Sequence, residues 1–414
     1  MKQFELVIVG GGLASARAIK SYREAGGHGA IALLSEDPTA PYHRPPLSKR
    51  YLRGETGEAP LVEDEAFYRE HDVELLLRTS VTAVDPGERS VSVDGGARFR
   101  YEKLLIASGT RPRRLEVPGI ALDGVFGLRT LADSQAIRDA ASAADRAVVV
   151  GAGFIGMEVA ASLRRLDVDV TLIHAGGSLF ERLGSEQLGA ELVSLYRDNG
   201  VELLLEESVA SFDGARRLGQ VTTSSGERIE ANLAVVGVGV APAVDFLAGS
   251  GLALDNGITV NERFETSVPG VHAVGDVANF FDPLYGRQRR IEHWSNAKYQ
   301  GSEVGKLLAG ADGGYDTVSS FFTEVFGVSV KVLGDVGRFD ELTVDGSLAG
   351  RDLLASYGDG GRLVGALAVG QSDEVMRGLE ELIRSRAPAG AVSGANPDTS
   401  PGSLVAKGES AIQD

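Results

Sequence analysis

The chain has 414 residues, 43% of them hydrophobic and 24% charged, a composition that builds packed domains, two or three at this length. Acidic residues outnumber basic ones 58 to 41, and the formal net charge of −17 argues against a nucleic-acid-binding surface. There is no cysteine, which removes disulfides, thiolate metal sites, iron–sulfur ligation and thiol redox chemistry together.

At the N-terminus, Glu5 interrupts an apolar stretch that is otherwise limited to Leu6–Val9, which is no signal-peptide core. No apolar run nears the roughly 20 residues of a membrane span. A cytoplasmic protein, monomer or homodimer, is expected, with no membrane partner. The buried-strand pattern Phe4–Val9 runs into Gly10-Gly11-Gly12-Leu13-Ala14-Ser15, a predicted helix over Leu13–Ala25 and a second strand at Ala30–Leu34. The same succession recurs. Ala147–Val150 runs into Gly151-Ala152-Gly153-Phe154-Ile155-Gly156, a helix over Phe154–Leu166 and a strand at Val168–Ile173. Two βαβ units imply an α/β fold with two Rossmann-like, doubly wound dinucleotide-binding domains.

Between the two units, Val91–Val93 and Arg98–Tyr101 read as a hairpin around Asp94-Gly95-Gly96, followed by an apolar strand at Lys103–Ala107. Leu233–Val240 reads as another strand, ended by Ala241-Pro242, and Val271–Val274 leads to Gly275-Asp276. Past residue 308 the pattern alternates like antiparallel strands at Val328–Leu333, Leu342–Val344, Asp352–Tyr357 and Arg362–Val369. An amphipathic helix over Asp373–Arg386, capped by Asp373, follows, so a C-terminal α+β domain is expected. From Ala387 the chain is rich in Ala, Gly, Ser and Pro and reads as a disordered tail.

The second glycine turn satisfies G-x-G-x-x-G through Gly151, Gly153 and Gly156; the first has Ser15 in the third position, where a small residue suffices. Such turns bring a pyrophosphate to the unpaired N–H groups of a helix N-terminus. About twenty residues on, a ribose-reading group is expected. Glu36 and Asp37 stand there in the first unit. His174 stands there in the second, with Arg182 nearby, so NADH against NADPH is left open. Pro41–Lys49 is a proline-stiffened loop carrying Arg44 and Lys49, fixed cations suited to a phosphate or an anionic ring. The Arg287, Arg289 and Arg290 cluster reads as a solvated loop or as a docking place for an acidic partner.

In order along residues 4–385, the chain carries Gly10–Ser15, Pro41–Lys49, Leu104–Arg113, Gly151–Glu158, Gly237–Pro242, Gly275-Asp276 and Glu292–Ala297. On these landmarks it resembles the cysteine-free branch of the pyridine nucleotide–disulfide oxidoreductase superfamily, glutathione-reductase-like in fold. That branch includes ferredoxin, rubredoxin and putidaredoxin reductases, monodehydroascorbate reductase and apoptosis-inducing-factor-like proteins.

The resemblance implies FAD and NADH, or NADPH, as cofactors. It implies that Gly10, Gly12, Ser15 and Asp37 or Glu36 hold the ADP half of FAD. Arg44, Lys49, Gly109, Asp276 and Trp294 would complete the FAD site. Gly151, Gly153, Ile155, Gly156, Glu158, His174 and Gly239 would form the NAD(P)H site. Lys49, Glu158 and Trp294 would serve at the reacting centre, with Glu158 paired to Lys49. The implied FAD domain is 1–111 with 236–308, the NAD(P)H domain 112–235, the interface domain 309–386 and the tail 387–414. The implied activity passes a hydride to flavin and single electrons to a ferredoxin-type iron–sulfur partner. Ser319–Phe326 stands where ferredoxin reductases carry a Trp-rich segment, so reduction of a quinone or organic radical, or a redox-sensing role, is the alternative.

Overall fold

The computed structural model describes residues 1–392, with the side chain of Arg182 outside what is described. Its frame is a pair of parallel sheets of the same construction. In the first, the strands run Val73–Leu76, Ile31–Leu34, Lys2–Val9, Arg98–Ile106, with Val271–Ala273 added beside Leu104–Ile106. Val81–Asp85 and Ser90–Val93 extend it as antiparallel strands. In the second, the order is Val201–Leu205, Asp169–His174, Arg146–Val150, Leu233–Val236, Val125–Gly127, all parallel. Strands buried on both faces need continuous apolar runs, and Leu6–Val9 and Ala147–Val150 supply them. A helix follows each first strand, Leu13–Glu24 and Phe154–Arg165.

The third unit is an antiparallel sheet ordered Ser320–Val325, Val328–Gly334, Arg362–Val369, Asp352–Asp359, Glu341–Ser347. The helix Asp373–Arg384 buries Leu379 and Ile383 against it. Its other face shares one hydrophobic core with the second parallel sheet, where Val325, Val330 and Leu367 join Met157, Leu188 and Leu192.

Several boundaries move. Arg98–Ile106 is one strand rather than a hairpin arm followed by a separate strand, because Lys2–Val9 pairs along its whole length. The expected strand Leu233–Val240 stops at Val236, where Gly237–Gly239 leave the sheet; a short strand Val240–Pro242 then pairs with Thr110–Pro112. Ser372, not Asp373, caps the C-terminal helix, its hydroxyl accepting from the Val375 N–H, and the helix ends at Arg384. The segment expected to be a disordered tail begins ordered. Ala387 and Ala389 bond back to Leu363 and Gly361, and Ala389–Val392 form a 3-10 turn because Val392 is buried on the third unit. The rest of that segment, 393–414, lies outside the described residues. Among the described residues no helix is long and apolar enough to cross a membrane.

Candidate functional site

Each glycine turn sits where its sheet splits, the place at which strand order reverses and a crevice opens at the carboxyl ends of the strands. The first glycine of each is demanded by the chain itself. Gly10 has φ +112° and a Cβ there would lie 2.3 Å from the Ala107 carbonyl oxygen; Gly151 has φ +100° and would meet the Gly237 oxygen at 2.4 Å. The third position also packs against protein. A Cβ on Gly156 would reach 2.0 Å from the Gly151 oxygen, whereas Ser15 is fully buried and its hydroxyl donates to the Gly10 carbonyl. The second glycine is different: a Cβ on Gly12 or on Gly153 would meet no atom of the described residues within 4 Å. Packing does not require glycine there, so the space is kept for something outside the chain.

Both turns open into one cleft of about 2900 Å³. It is lined by Gly10, Gly12, Glu36, Asp37, Arg44, Lys49, Gly109, Asp276 and Trp294 on the first unit's side. Gly151, Gly153, Ile155, Glu158, His174 and Gly239 line it on the second unit's side. Glu36 and Asp37 separate in use. Both Asp37 oxygens are engaged, by the Thr39 N–H at 3.0 Å and the Tyr42 hydroxyl at 2.7 Å. Glu36 is exposed into the cleft and, among the described residues, has only Arg111 beside it, at 3.6 Å. His174, at the end of its strand, accepts weakly from the Ala152 N–H at 3.4 Å, and burial lowers its pKa.

Arg129 is a site residue that the sequence reading missed. It lies beside Asp276 at 3.5 Å and close enough to Arg44 to feel its charge. Burial first, then Arg44, lowers its pKa to about 10, and its Nε has no hydrogen-bond partner among the described residues. Two guanidiniums close enough to repel, one of them on the Asp276 carboxylate, favour a multiply charged anion between them. Asp276 is also approached by the Thr110 hydroxyl at 3.4 Å, and its own carbonyl accepts from Arg290 at 3.1 Å.

Lys49 and Glu158 meet at the seam between the two units, with Lys49 Nζ 2.6 Å from Glu158 Oε2. Glu158 is 5% exposed and accepts from the Ser48 hydroxyl on the same oxygen and from Thr323 at 2.7 Å on the other. One carboxylate therefore ties together the proline-stiffened loop, the second glycine-turn helix and the third sheet. Beside it stands an aromatic wall. Phe154 packs on Phe180 and Phe321, and Phe321 stacks on His293 with ring centroids 4.0 Å apart. Burial lowers the His293 pKa to about 4. Trp294 donates its indole N–H to His43 Nδ1 at 3.0 Å, and His43 is itself held below its usual pKa by burial and then by Arg17.

The arginine cluster is consumed internally. Arg289 pairs with the fully buried Asp282 at 2.7 Å and lies 4.3 Å over the Tyr285 ring; Arg287 binds Asp335; Arg290 binds Glu292 at 2.6 Å. The cluster is therefore not a run of freely solvated charges. Arg287 and Arg289 tie their strand to Asp335, next to the third unit's strand Val328–Gly334, while Arg290 stays local on Glu292 and the Asp276 carbonyl.

The pattern of the pyridine nucleotide-disulphide oxidoreductase family matches residues 4–301. The chain belongs to that family. Among its relatives is the ferredoxin–NAD(+) reductase subunit of the benzene 1,2-dioxygenase system of Pseudomonas putida, 34% identical over 88% of this chain and 88% of that protein. Putidaredoxin reductase of the same organism is 33% identical over 92% of each. Among solved structures, a covalent putidaredoxin reductase–putidaredoxin complex matches with a TM-score of 0.89 at 32% identity, over 94% of each chain. The protein is an oxidoreductase of this family, with FAD and a nicotinamide dinucleotide as its cofactors. The site fits both groups. Two open second-glycine positions supply two pyrophosphate approaches, and the unpaired Arg129 Nε beside Arg44 supplies cations for one of them.

Proposed function

We propose that this family member is an NADH-dependent reductase of a ferredoxin-type iron–sulfur carrier, of the kind that serves an oxygenase or cytochrome P450. The observation that carries the proposal is the single cleft shared by both glycine turns, with the Lys49–Glu158 pair at their seam. The relatives named as ferredoxin and putidaredoxin reductases support the choice of acceptor. Bound in this cleft, the flavin and nicotinamide would supply the exchange of a hydride for single electrons.

The chain's own residues position these groups. Gly10 and Ser15 shape the first turn, Gly12 admits the pyrophosphate, and Glu36 receives the ribose hydroxyls. Asp37 instead fixes Tyr42 and its loop. Arg44 and Arg129 neutralise the pyrophosphate, Gly109 leaves room beside Arg129, and Asp276 accepts from the ribitol chain. Gly151, Gly153 and Gly156 form the second turn, with Ile155 (44% exposed) and Gly239 walling the nicotinamide half and His174 at the ribose end. Lys49 is held as a fixed cation by Glu158, and Phe154, Phe321 and Trp294 exclude water. On this reading the FAD-holding unit is 1–111 with 236–308, the NADH-holding unit 112–235, and the unit that closes the cleft 309–386.

The acceptor is tested by turnover with NADH. Cytochrome c reduction that is slow alone and fast on addition of a [2Fe–2S] ferredoxin is expected. Equally fast reduction of a quinone, with no gain from ferredoxin, would replace the acceptor by a small molecule.

A further inference from the structure

The second dinucleotide site lacks the acid that a Rossmann strand commonly offers to the ribose hydroxyls: His174 ends the strand Asp169–His174 instead. A carboxylate nevertheless arrives there from further along the chain. After Ala175-Gly176-Gly177-Ser178 the backbone doubles back at Phe180, whose φ of +53° a bulky residue adopts only when its surroundings impose it. The Phe180 ring holds that turn in place, packed on Phe154 with centroids 4.6 Å apart. The reversal lays Glu181 over the start of the loop. Its Oε1 accepts the Ser178 N–H at 3.1 Å, and its carboxylate fills the space beside Gly176, where a Cβ would collide with both oxygens. Glu181 is exposed, lines the cleft together with His174 and is the charged group that His174 feels. Glu207 lines the cleft beside them, and its N–H donates to the His174 carbonyl at 3.0 Å. Among the described residues, Glu181 is bonded by the Ser178 N–H and Glu207 by the Ser224 hydroxyl and Ser225 N–H, so neither charge is spent on a cation.

Resting on the NADH-dependent reading above, we propose that Glu181 sets the choice between the two nicotinamide dinucleotides and excludes NADPH, which carries a phosphate on its adenosine 2′-oxygen. A 2′-phosphate at the end of such a strand needs N–H donors from the loop that follows and a cation beside them. In this loop the Ser178 N–H is held by a carboxylate of the protein itself, so Glu181 stands where the phosphate would have to sit. An incoming phosphate would displace that carboxylate from its donor and then lie against it and against Glu207, like charges with nothing to neutralise them. Burial lowers the His174 pKa, so the imidazole adds no positive charge at neutral pH. A ribose with a free 2′-hydroxyl meets the same group as a donor meets an acceptor. Glu181 Oε2 is open to it, with no hydrogen-bond partner among the described residues.

The test is calorimetric titration of the holoenzyme with AMP and with 2′-phospho-AMP, the adenosine ends of the two dinucleotides, followed by ferricyanide reduction with NADH and with NADPH. The variants are Glu181→Gln, which keeps an acceptor for the Ser178 N–H, Glu181→Lys, and Glu230→Gln, an exposed carboxylate of the same unit. Wild type is expected to bind AMP the more tightly. In Glu181→Gln the ratio of affinities is expected to move about tenfold toward 2′-phospho-AMP, and further in Glu181→Lys, with Glu230→Gln like wild type. The KM for NADPH is expected to fall by a similar factor while kcat is unchanged, a split that a merely structural role for Glu181 would not produce. A ratio unmoved in both Glu181 variants, in a protein that still prefers AMP, overturns the proposal and leaves the NADH-dependent function standing. A wild type that binds 2′-phospho-AMP as tightly as AMP, and turns over NADPH as readily as NADH, overturns both.

Discussion

At the scale of single residues, the site is decided by which polar groups are already spoken for. Asp37 is used up by Thr39 and Tyr42, and Glu36 is not, so the two carboxylates, equivalent in the sequence, have different work. Lys49 and Glu158 are nearly buried and mutually dependent. Lys49→Ala leaves a carboxylate at 6% side-chain exposure without its cation, which costs about 3 kcal/mol. Flavin reduction by NADH is expected to slow by about tenfold or more in Lys49→Ala and Glu158→Ala, read by stopped-flow bleaching at saturating NADH. Unchanged reduction rates in both variants would remove the pair from the reacting centre. His293 gives a pH prediction. Its folded pKa of about 4 lies below the unfolded value of about 6.5. As pH falls the unfolded chain takes up the proton first, so the stability this residue contributes is complete above about 6.5 and is lost toward about 4, by up to about 3 kcal/mol. Urea midpoints at several pH values should fall more steeply below 6.5 for the wild type than for His293→Phe; parallel slopes would contradict the assignment. Arg129 could not be found from sequence, because nothing local distinguishes an arginine before a helix from one whose guanidinium reaches a carboxylate far along the chain, Asp276.

At the scale of elements, the glycine turns were legible because backbone geometry writes itself into composition. A carbonyl 2.3 Å from where a Cβ would be admits no other residue at Gly10. The same geometry separates two functions within one turn. Gly10→Ala is expected to destabilise the protein whether or not flavin is bound, by about 2 kcal/mol or more. Gly12→Ala is expected to leave the melting temperature of the flavin-free protein nearly unchanged and to weaken FAD binding. Thermal melts with and without FAD read both. A flavin-free Gly12→Ala protein as unstable as Gly10→Ala would show that the second glycine serves packing instead. The helices Leu131–Ala141 and Glu186–Asp198 and the strand Ser320–Val325 went unread, the last because one of its buried positions holds the polar Thr323, whose burial makes sense only once it is seen bonded to Glu158. Arg287, Arg289 and Arg290 read as surface because a run of charge is usually solvated; the Asp335 that holds Arg287 lies 48 residues on, beyond any local pattern, and the nearer Asp282 is recognisable as a partner only once the strand pair is folded.

At the scale of the whole molecule, two sheets of matching strand order face their crevices into one cleft, and the third sheet closes its side through Thr323 and through the Tyr357 hydroxyl, which donates to the Leu183 carbonyl at 2.9 Å. The repeat of strand, glycine turn and helix made the paired sheets readable from the sequence; the facing of the two crevices is a property of the packed whole. That facing is the central claim, and anaerobic stopped-flow spectroscopy of the purified protein tests it most directly. The account predicts a yellow protein whose bound flavin absorbance is bleached in a single turnover by NADH, at a rate that saturates with NADH concentration. A protein that takes up no flavin, or one whose bound flavin is indifferent to NADH, would contradict it.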